Sequence, residues 1–198
     1  MHNALDDLII LNKLGIKGRC ITSPKIIEVT WMPPLHHWLK VNTDGMALGS
    51  PGLAAIGGVF RTYRGFSKGC FCKAIGIHNA FFAELLAFIT AVDIAWNKGW
   101  FNIWFEMDSL SVVNCIYDQK FSPPWPLITA WSTCKSKFSQ MNFHVSHKNI
   151  FREGNQVADC LSKLGLSHSD LKWWSSHPHQ VDRFLAHDYA SLPHYRFK

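Results

Sequence analysis

Trp38-Leu-Lys-Val-Asn-Thr-Asp-Gly45 is the stretch on which the reading of this chain turns. It alternates with the period of a β-strand. Leu39, Val41 and Thr43 share one face, and Trp38, Lys40, Asn42 and Asp44 share the other. The pattern predicts a strand that ends on the Asp44 carboxylate and enters a tight turn at Gly45. A glycine there removes the side chain that would keep a second backbone away. An acid at a strand end beside bare backbone suits a metal ion and a polymer. A strand running into an ordinary Asp-Gly turn reads the same way locally, so the rest of the chain has to decide.

Two further strand-like segments follow, Ala54 to Tyr63 and about Lys68 to Ile75, with Arg64-Gly65 as the hairpin turn between them. From Asn79 the period becomes helical: Leu85, Phe88, Ile89, Val92, Ala95 and Trp96 recur up to Lys98-Gly99. Asn79 is the expected N-cap and Gly99 the expected stop. Phe101 to Met107 reads as an apolar central strand. It meets Asp108-Ser109, where Ser109 is expected to cap a short helix. Leu127 to Ser139 predicts another helix, and Asn142 to His147 a fifth strand. A last helix carries Val157, Leu161 and Leu164, with Asn155 as its expected cap. The order is β-β-β-α-β-α-α-β-α, an α/β domain with a mixed sheet and helices on its faces. Residues 1–30 read as an N-terminal arm and linker, 31–165 as the domain, and 166–198 as a tail packed on it.

Composition narrows the class. Of the 198 residues 47% are apolar and 17% charged, which predicts a packed core rather than disorder. Lys and Arg exceed Asp and Glu by six, a balance compatible with a polyanionic partner. No apolar run reaches the roughly 18 residues of a membrane span, so no membrane association is expected. The first residues lack the order of a secretory signal. The six cysteines are scattered through apolar segments and read as free thiols in a reducing compartment. An intracellular location, nuclear or cytosolic, is the expectation. Cys70-Phe-Cys72 does not have zinc-site spacing.

Four carboxylates stand where elements meet: Asp44 and Asp108 at strand ends, Glu84 and Asp159 near helix starts. Element ends are where a fold can gather remote residues into one cleft. Clustered acids repel and raise one another's pKa unless cations neutralise them. Oxygen-only donors suit Mg²⁺ or Mn²⁺, and two such ions can hold both oxygens of an in-line phosphoryl displacement. Four unrelated surface acids would fit the same sequence.

The chain resembles the ribonuclease H family, and most closely the RNase H-like domains of plant non-LTR retrotransposons. The matching stretches are Trp38 to Gly45, Ala83-Glu-Leu-Leu-Ala-Phe88, Glu106-Met-Asp-Ser109 with Val112-Val113, and Arg152-Glu-Gly-Asn-Gln-Val-Ala-Asp159. Asp188 to Phe197 is similar to that lineage's ending. The resemblance implies an RNase H-like fold, a five-stranded mixed sheet flanked by helices. It implies two-metal, Mg²⁺- or Mn²⁺-dependent cleavage of the RNA strand of RNA·DNA hybrids, by a monomer. Asp44, Glu84, Asp108 and Asp159 would be catalytic and metal-binding. Gly45, Asn42, Ser109, Arg152 and Asn155 would contact nucleic acid. The histidine that assists product release in such enzymes is replaced at its usual position by Asn149, with His147 two residues earlier as a substitute. The chain carries no recognisable reverse transcriptase, which makes a fragment or a domesticated copy the expectation.

Two other readings follow from the residues. Asn149 points to a catalytically weak or inactive nucleic-acid-binding module of the same fold. Trp125, Trp131, Trp173 and Trp174 would make a protein-docking patch if they were exposed together.

Overall fold

The computed structural model describes residues 5–15, 25–146 and 150–197. The chain divides into a small unit, residues 1–27 with 196–198, and a main body, 28–195. In the small unit, helix α1 spans Leu5–Lys13. Strands β1 (Ile26–Val29) and β8 (His194–Phe197) form a two-stranded ladder.

The main sheet has six strands. They are β2 (Leu39–Gly49), β3 (Gly52–Arg61), β4 (Ser67–His78), β5 (Asn102–Glu106), β6 (Asn142–Val145) and β7 (Lys172–Trp174), in spatial order β6-β5-β2-β3-β4-β7. β2, β3 and β4 are an antiparallel meander, and β5 and β6 add in parallel on the other side of β2. The expected five-stranded sheet therefore gains a sixth strand from the tail. Trp173 pairs with Phe71 and Trp174 with Cys70 on the β4 edge. An uncovered edge of this kind invites pairing, and three residues of tail suffice to close it.

Helices cover both faces. On one face α2 (Ala80–Asn97), α3 (Leu110–Tyr117) and α4 (Ile128–Phe138) share a core with Val41, Ile56, Phe60, Ile103 and Phe105. On the other, α5 (Gln156–Gly165) and α6 (Asp182–Tyr189) pack Val157, Leu161, Phe184 and Leu185 with Val59 and Cys70. α2 is capped as its sequence predicts: the Asn79 side chain accepts from the Phe82 N–H at 2.8 Å. By length and composition α2 also has the apolarity of a membrane span, which corrects the expectation that no such segment exists. More than half of it, 56%, is buried in the body, where it lies between the sheet and α4.

Three other expectations need correction. β2 does not end at Asp44; it runs on to Gly49 with its pairing to β3 unbroken, so Gly45 lies in mid-strand. Ser109 stands at the N-cap position of α3 without making the side-chain hydrogen bond. Asn155 stands at the N-cap of α5, but its side chain is committed elsewhere. Among the expected tryptophan patch, only Trp125 is well exposed. Trp131 is core, and Trp173 and Trp174 sit half-buried in β7.

Candidate active site

Two glycines that face opposite sides of adjacent strands bring the site together. A Cβ on Gly45 would stand 2.2 Å from the backbone of Ala83 and Glu84. A Cβ on Gly57, the residue opposite Asp44, would stand 2.3 Å from the Ser162 nitrogen. Such distances leave no room for a side chain at either position unless the helix backbone shifts. The start of α2 can therefore press onto one face of the sheet and the middle of α5 onto the other. Gly45 is needed for helix packing rather than for a turn, and its N–H donates to the Glu84 carboxylate.

Strand register supplies the third acid. Asn42 is level with Glu106 in the parallel β2–β5 pair. β5 ends there, and Asp108 follows two residues later in the link to α3. The result is a group of three carboxylates, Asp44, Glu84 and Asp108, with one oxygen from each within 4.8 Å of the others. Asp44 is buried, and the other two are half-buried.

Burial and proximity control their charge. Burial, with Asp108 and Asp159 nearby, pushes the Asp44 carboxyl up to about 6, against the hydrogen bond from Ser162. Burial, then Asp44 and Asp108, hold Glu84 well above the usual carboxylate range. Burial also raises Asp108, opposed by its own backbone N–H and by Asn155. The three acids thus retain protons that separated acids would lose, because three charges cannot share this pocket unaided.

Two neutral groups fix the carboxylates. Ser162 Oγ lies 2.5 Å from Asp44 Oδ2, to which its hydroxyl donates, and 2.9 Å from the Asp159 carbonyl. The Asn155 Nδ2 donates to the Thr43 carbonyl at 2.9 Å and to Asp108 Oδ1 at 3.3 Å. Ser162 lies one helical turn after Asp159, which is the signal that could have found it.

Asp159 does not join the tight group. Lys163 Nζ donates to its Oδ2 at 2.5 Å, and Arg152 Nε stands 3.7 Å from its Oδ1. It still faces the site closely enough to raise Asp44 and Asp108. Arg152 is open to solvent, and Ser109 is half-buried beside Asp108.

Three of the residues expected to contact nucleic acid are buried. Gly45 lies under α2. Asn155 is buried and bridges β2 to Asp108. Asn42 is buried, accepting from Trp31 Nε1 and Arg61 Nη2 and donating to Glu106. His147 and Asn149 lie outside the described residues.

Asn42 belongs to a second cluster that local sequence gave no sign of. Lys40 pairs with Glu106 at 2.7 Å, and Arg61 pairs with Asp188 of α6 at 2.5 Å. Lys40 lies 4.1 Å from the Trp104 ring centre, and the Arg61 guanidinium stacks 3.7 Å from that of Trp31.

Comparison with known proteins places this geometry in a family. Residues 42–165 match the family model described as reverse transcriptase-like. The chain belongs to the reverse transcriptase-like, ribonuclease H-like family. A curated Arabidopsis thaliana protein named "Putative ribonuclease H protein" is 35% identical over 148 residues, 74% of this chain and 24% of that relative. The chain thus spans about a quarter of the length of the curated relative it matches. The RNase H fold itself is shown by solved structures. RNase H1 from the archaeon Halobacterium salinarum aligns with a TM-score of 0.57 at 24% identity, over 66% of this chain and 98% of that one. LC11-RNase H1, isolated from compost and solved with an RNA/DNA hybrid, aligns at 0.56 and 24%, over 65% and 96%. The foamy viral protease-reverse transcriptase with RNA/DNA hybrid aligns at 0.57 and 20%, over 76% and 22%.

Proposed function

We propose that this protein is a metal-dependent endoribonuclease that cleaves the RNA strand of RNA·DNA hybrids, of retrotransposon descent. The observation that carries the reading is the convergence of Asp44, Glu84 and Asp108, from three separate elements, within 4.8 Å. The hybrid-bound relatives support the choice of substrate.

The donor set fits Mg²⁺ or Mn²⁺. All its atoms are carboxylate oxygens, and their raised pKa values mark negative charge that the protein does not compensate. Asp44, Glu84 and Asp108 would hold the ion, with Asp159 available for a second. Two bound ions would polarise the scissile phosphodiester and lower the pKa of the attacking water. The chain's own residues do the rest. Ser162 and Asn155 hold two carboxylates in fixed rotamers, so little reorganisation is needed on binding. Arg152, its side chain 72% exposed beside Asp159, is placed to meet a backbone phosphate. An RNA strand would be distinguished by its 2′-hydroxyl.

The second reading, binding without cleavage, draws on Asp159, whose carboxylate is already engaged by Lys163 and Arg152. A cleavage assay separates the two. Hybrid RNA should be cut with Mg²⁺, spared with EDTA, and spared by Asp108→Asn. Equal cutting of single-stranded RNA, or cutting in EDTA, would refute the proposal. Salt-sensitive hybrid binding with no cleavage under Mg²⁺ or Mn²⁺ would establish the second reading.

A further inference from the structure

A second group of potential ligands lies away from the acidic site. His187 and Asp188 end helix α6, and His194 begins β8 after a four-residue link, 190–193. One donor atom from each lies within 4.8 Å of the others. The two imidazoles stack with ring centres 4.1 Å apart and planes 21° from parallel.

Two features of the group go beyond chance proximity. His187 Nδ1 is buried and lacks a hydrogen-bond partner. A coordinate bond would satisfy it. Asp188 is buried, and Arg61 holds its Oδ2 at 2.5 Å, so a carboxylate ligand here is already oriented by an outer partner. His194, half-buried at the start of β8, supplies the second imidazole. Glu153 also faces His194 and adds negative charge, while Gln156 Nε2 lies 3.4 Å from His194 Nδ1.

We propose that His187, Asp188 and His194 bind one zinc-type transition-metal ion that clasps the end of α6 to the start of β8. Two imidazole nitrogens and one carboxylate oxygen favour Zn²⁺ and its neighbours over Mg²⁺, which prefers oxygen alone. At ordinary zinc bond lengths of about 2.0–2.1 Å the donors of a tetrahedral site stand roughly 3.3 Å apart. Binding would draw the donors together from their present separation of up to 4.8 Å. The chain would then carry two metal sites of opposite taste. The three-acid pocket takes a hard ion that neutralises repulsion, and the tail takes a borderline ion that satisfies an orphan nitrogen. The clasp does not depend on the nuclease reading.

The test uses the full chain, stripped of metal by chelation and kept reduced. Calorimetric titration with Zn²⁺ should show one site that His194→Ala weakens on the order of 100-fold or more. Asp108→Asn should leave that site intact. Zn²⁺ should raise the unfolding temperature of the parent protein and not that of His194→Ala. Co²⁺ should give visible d–d bands without a thiolate charge-transfer band. His194 is half-buried, so His194→Gln serves as the second variant if His194→Ala does not fold. The proposal is overturned if no Zn²⁺ binds or if both His194 variants bind it as the parent does. Loss of the site in Asp108→Asn, or a thiolate band, would place the ion on the acids or on a cysteine and overturn it equally.

Discussion

Two groups of buried charge lie along the same face of β2, a few residues apart, and they are resolved in opposite ways. Around Lys40, Asn42 and Arg61 every charge meets its opposite: Lys40 with Glu106, Arg61 with Asp188, and Asn42 linking the two pairs. Around Asp44 the acids have no matching buried cation: one hydroxyl and one amide hold them, and the exposed Arg152 offsets their charge only in part. Burial opposes charge in both places. In the first cluster each charge is paired, although Arg61 Nε has no hydrogen-bond partner. The second has no such pairing, and burial raises its carboxyls above their usual range. The difference teaches where to look for a ligand: at the buried charges that the fold leaves unpaired.

The largest effect is expected from breaking the paired cluster. Arg61→Ala leaves Asp188 buried without a partner, while Lys40 keeps Glu106. Removing one member of a buried pair costs about 3–5 kcal/mol. For a chain of this size that corresponds to a fall in unfolding temperature of roughly 6–20 °C. Thermal denaturation of the purified variant measures it. A fall of only a degree or two would mean that the pair is solvated in solution and that the contrast between the clusters is overstated.

The incomplete cluster should respond with the opposite sign. Asp44→Asn removes a charge that the metal-free pocket cannot accommodate, so it should stabilise that state at neutral pH while abolishing cleavage. The pH dependence follows from the raised pKa. Below about pH 4 Asp44 is protonated in both folded and unfolded chains and there is no penalty. As the pH rises, the unfolded chain loses its proton at the ordinary value, while the folded chain holds it to about 6. Metal-free stability should therefore fall across that window by roughly 3 kcal/mol on account of this group. Asp44→Asn should lose that slope in EDTA. Mg²⁺ should raise the unfolding temperature more at pH 8 than at pH 5. Equal Mg²⁺ effects at the two pH values would show that the acids are already ionised, and would remove the electrostatic case for a bound cation.

Most of the architecture could be read from periodicity, since strand and helix segments repeat apolar residues at their own intervals. Asp108 is legible because it follows a strand end, whereas Asp44 lies inside β2 and the expected strand end there does not exist. What escaped was what depends on partners remote in the chain. Asp44-Gly45 looked like a turn because nothing local shows that Ala83 passes over Gly45. Asn42 and Asn155 looked like surface hydrogen-bonders, yet each is spent bridging strands or supporting a carboxylate. β7 was missed because its three residues are too few to show alternation. Lys40 and Arg61 alternate like exposed strand residues until the tail delivers Asp188 and the opening segment delivers Trp31.

Gly57→Ala should have an intermediate effect and test how the two helices are set. The new methyl would meet the α5 backbone at Ser162 and Leu161. Overpacking of this kind costs about 1–3 kcal/mol. Because α5 carries both Ser162 and Asp159, Mg²⁺ affinity, read by thermal shift, should weaken with it. Loss of stability without loss of Mg²⁺ affinity would show that α5 packs against the sheet without setting the site.

The smallest effect, and the most specific, is expected at Ser162. Ser162→Ala deletes one hydroxyl and keeps the helix, since alanine is the better helix former. The deleted hydrogen bond favours the charged form of Asp44. Without it, burial and the neighbouring acids act unopposed, and the Asp44 pKa should rise further. Two consequences follow at neutral pH: weaker Mg²⁺ binding, by roughly tenfold as for other groups that orient a metal ligand, and a pH–activity profile displaced to higher pH. At pH 8.5 the gap between variant and parent should narrow, because both hold an ionised Asp44 there. A constant gap at every pH would mean that the serine acts only by holding the side chain in place, with no hand in its charge.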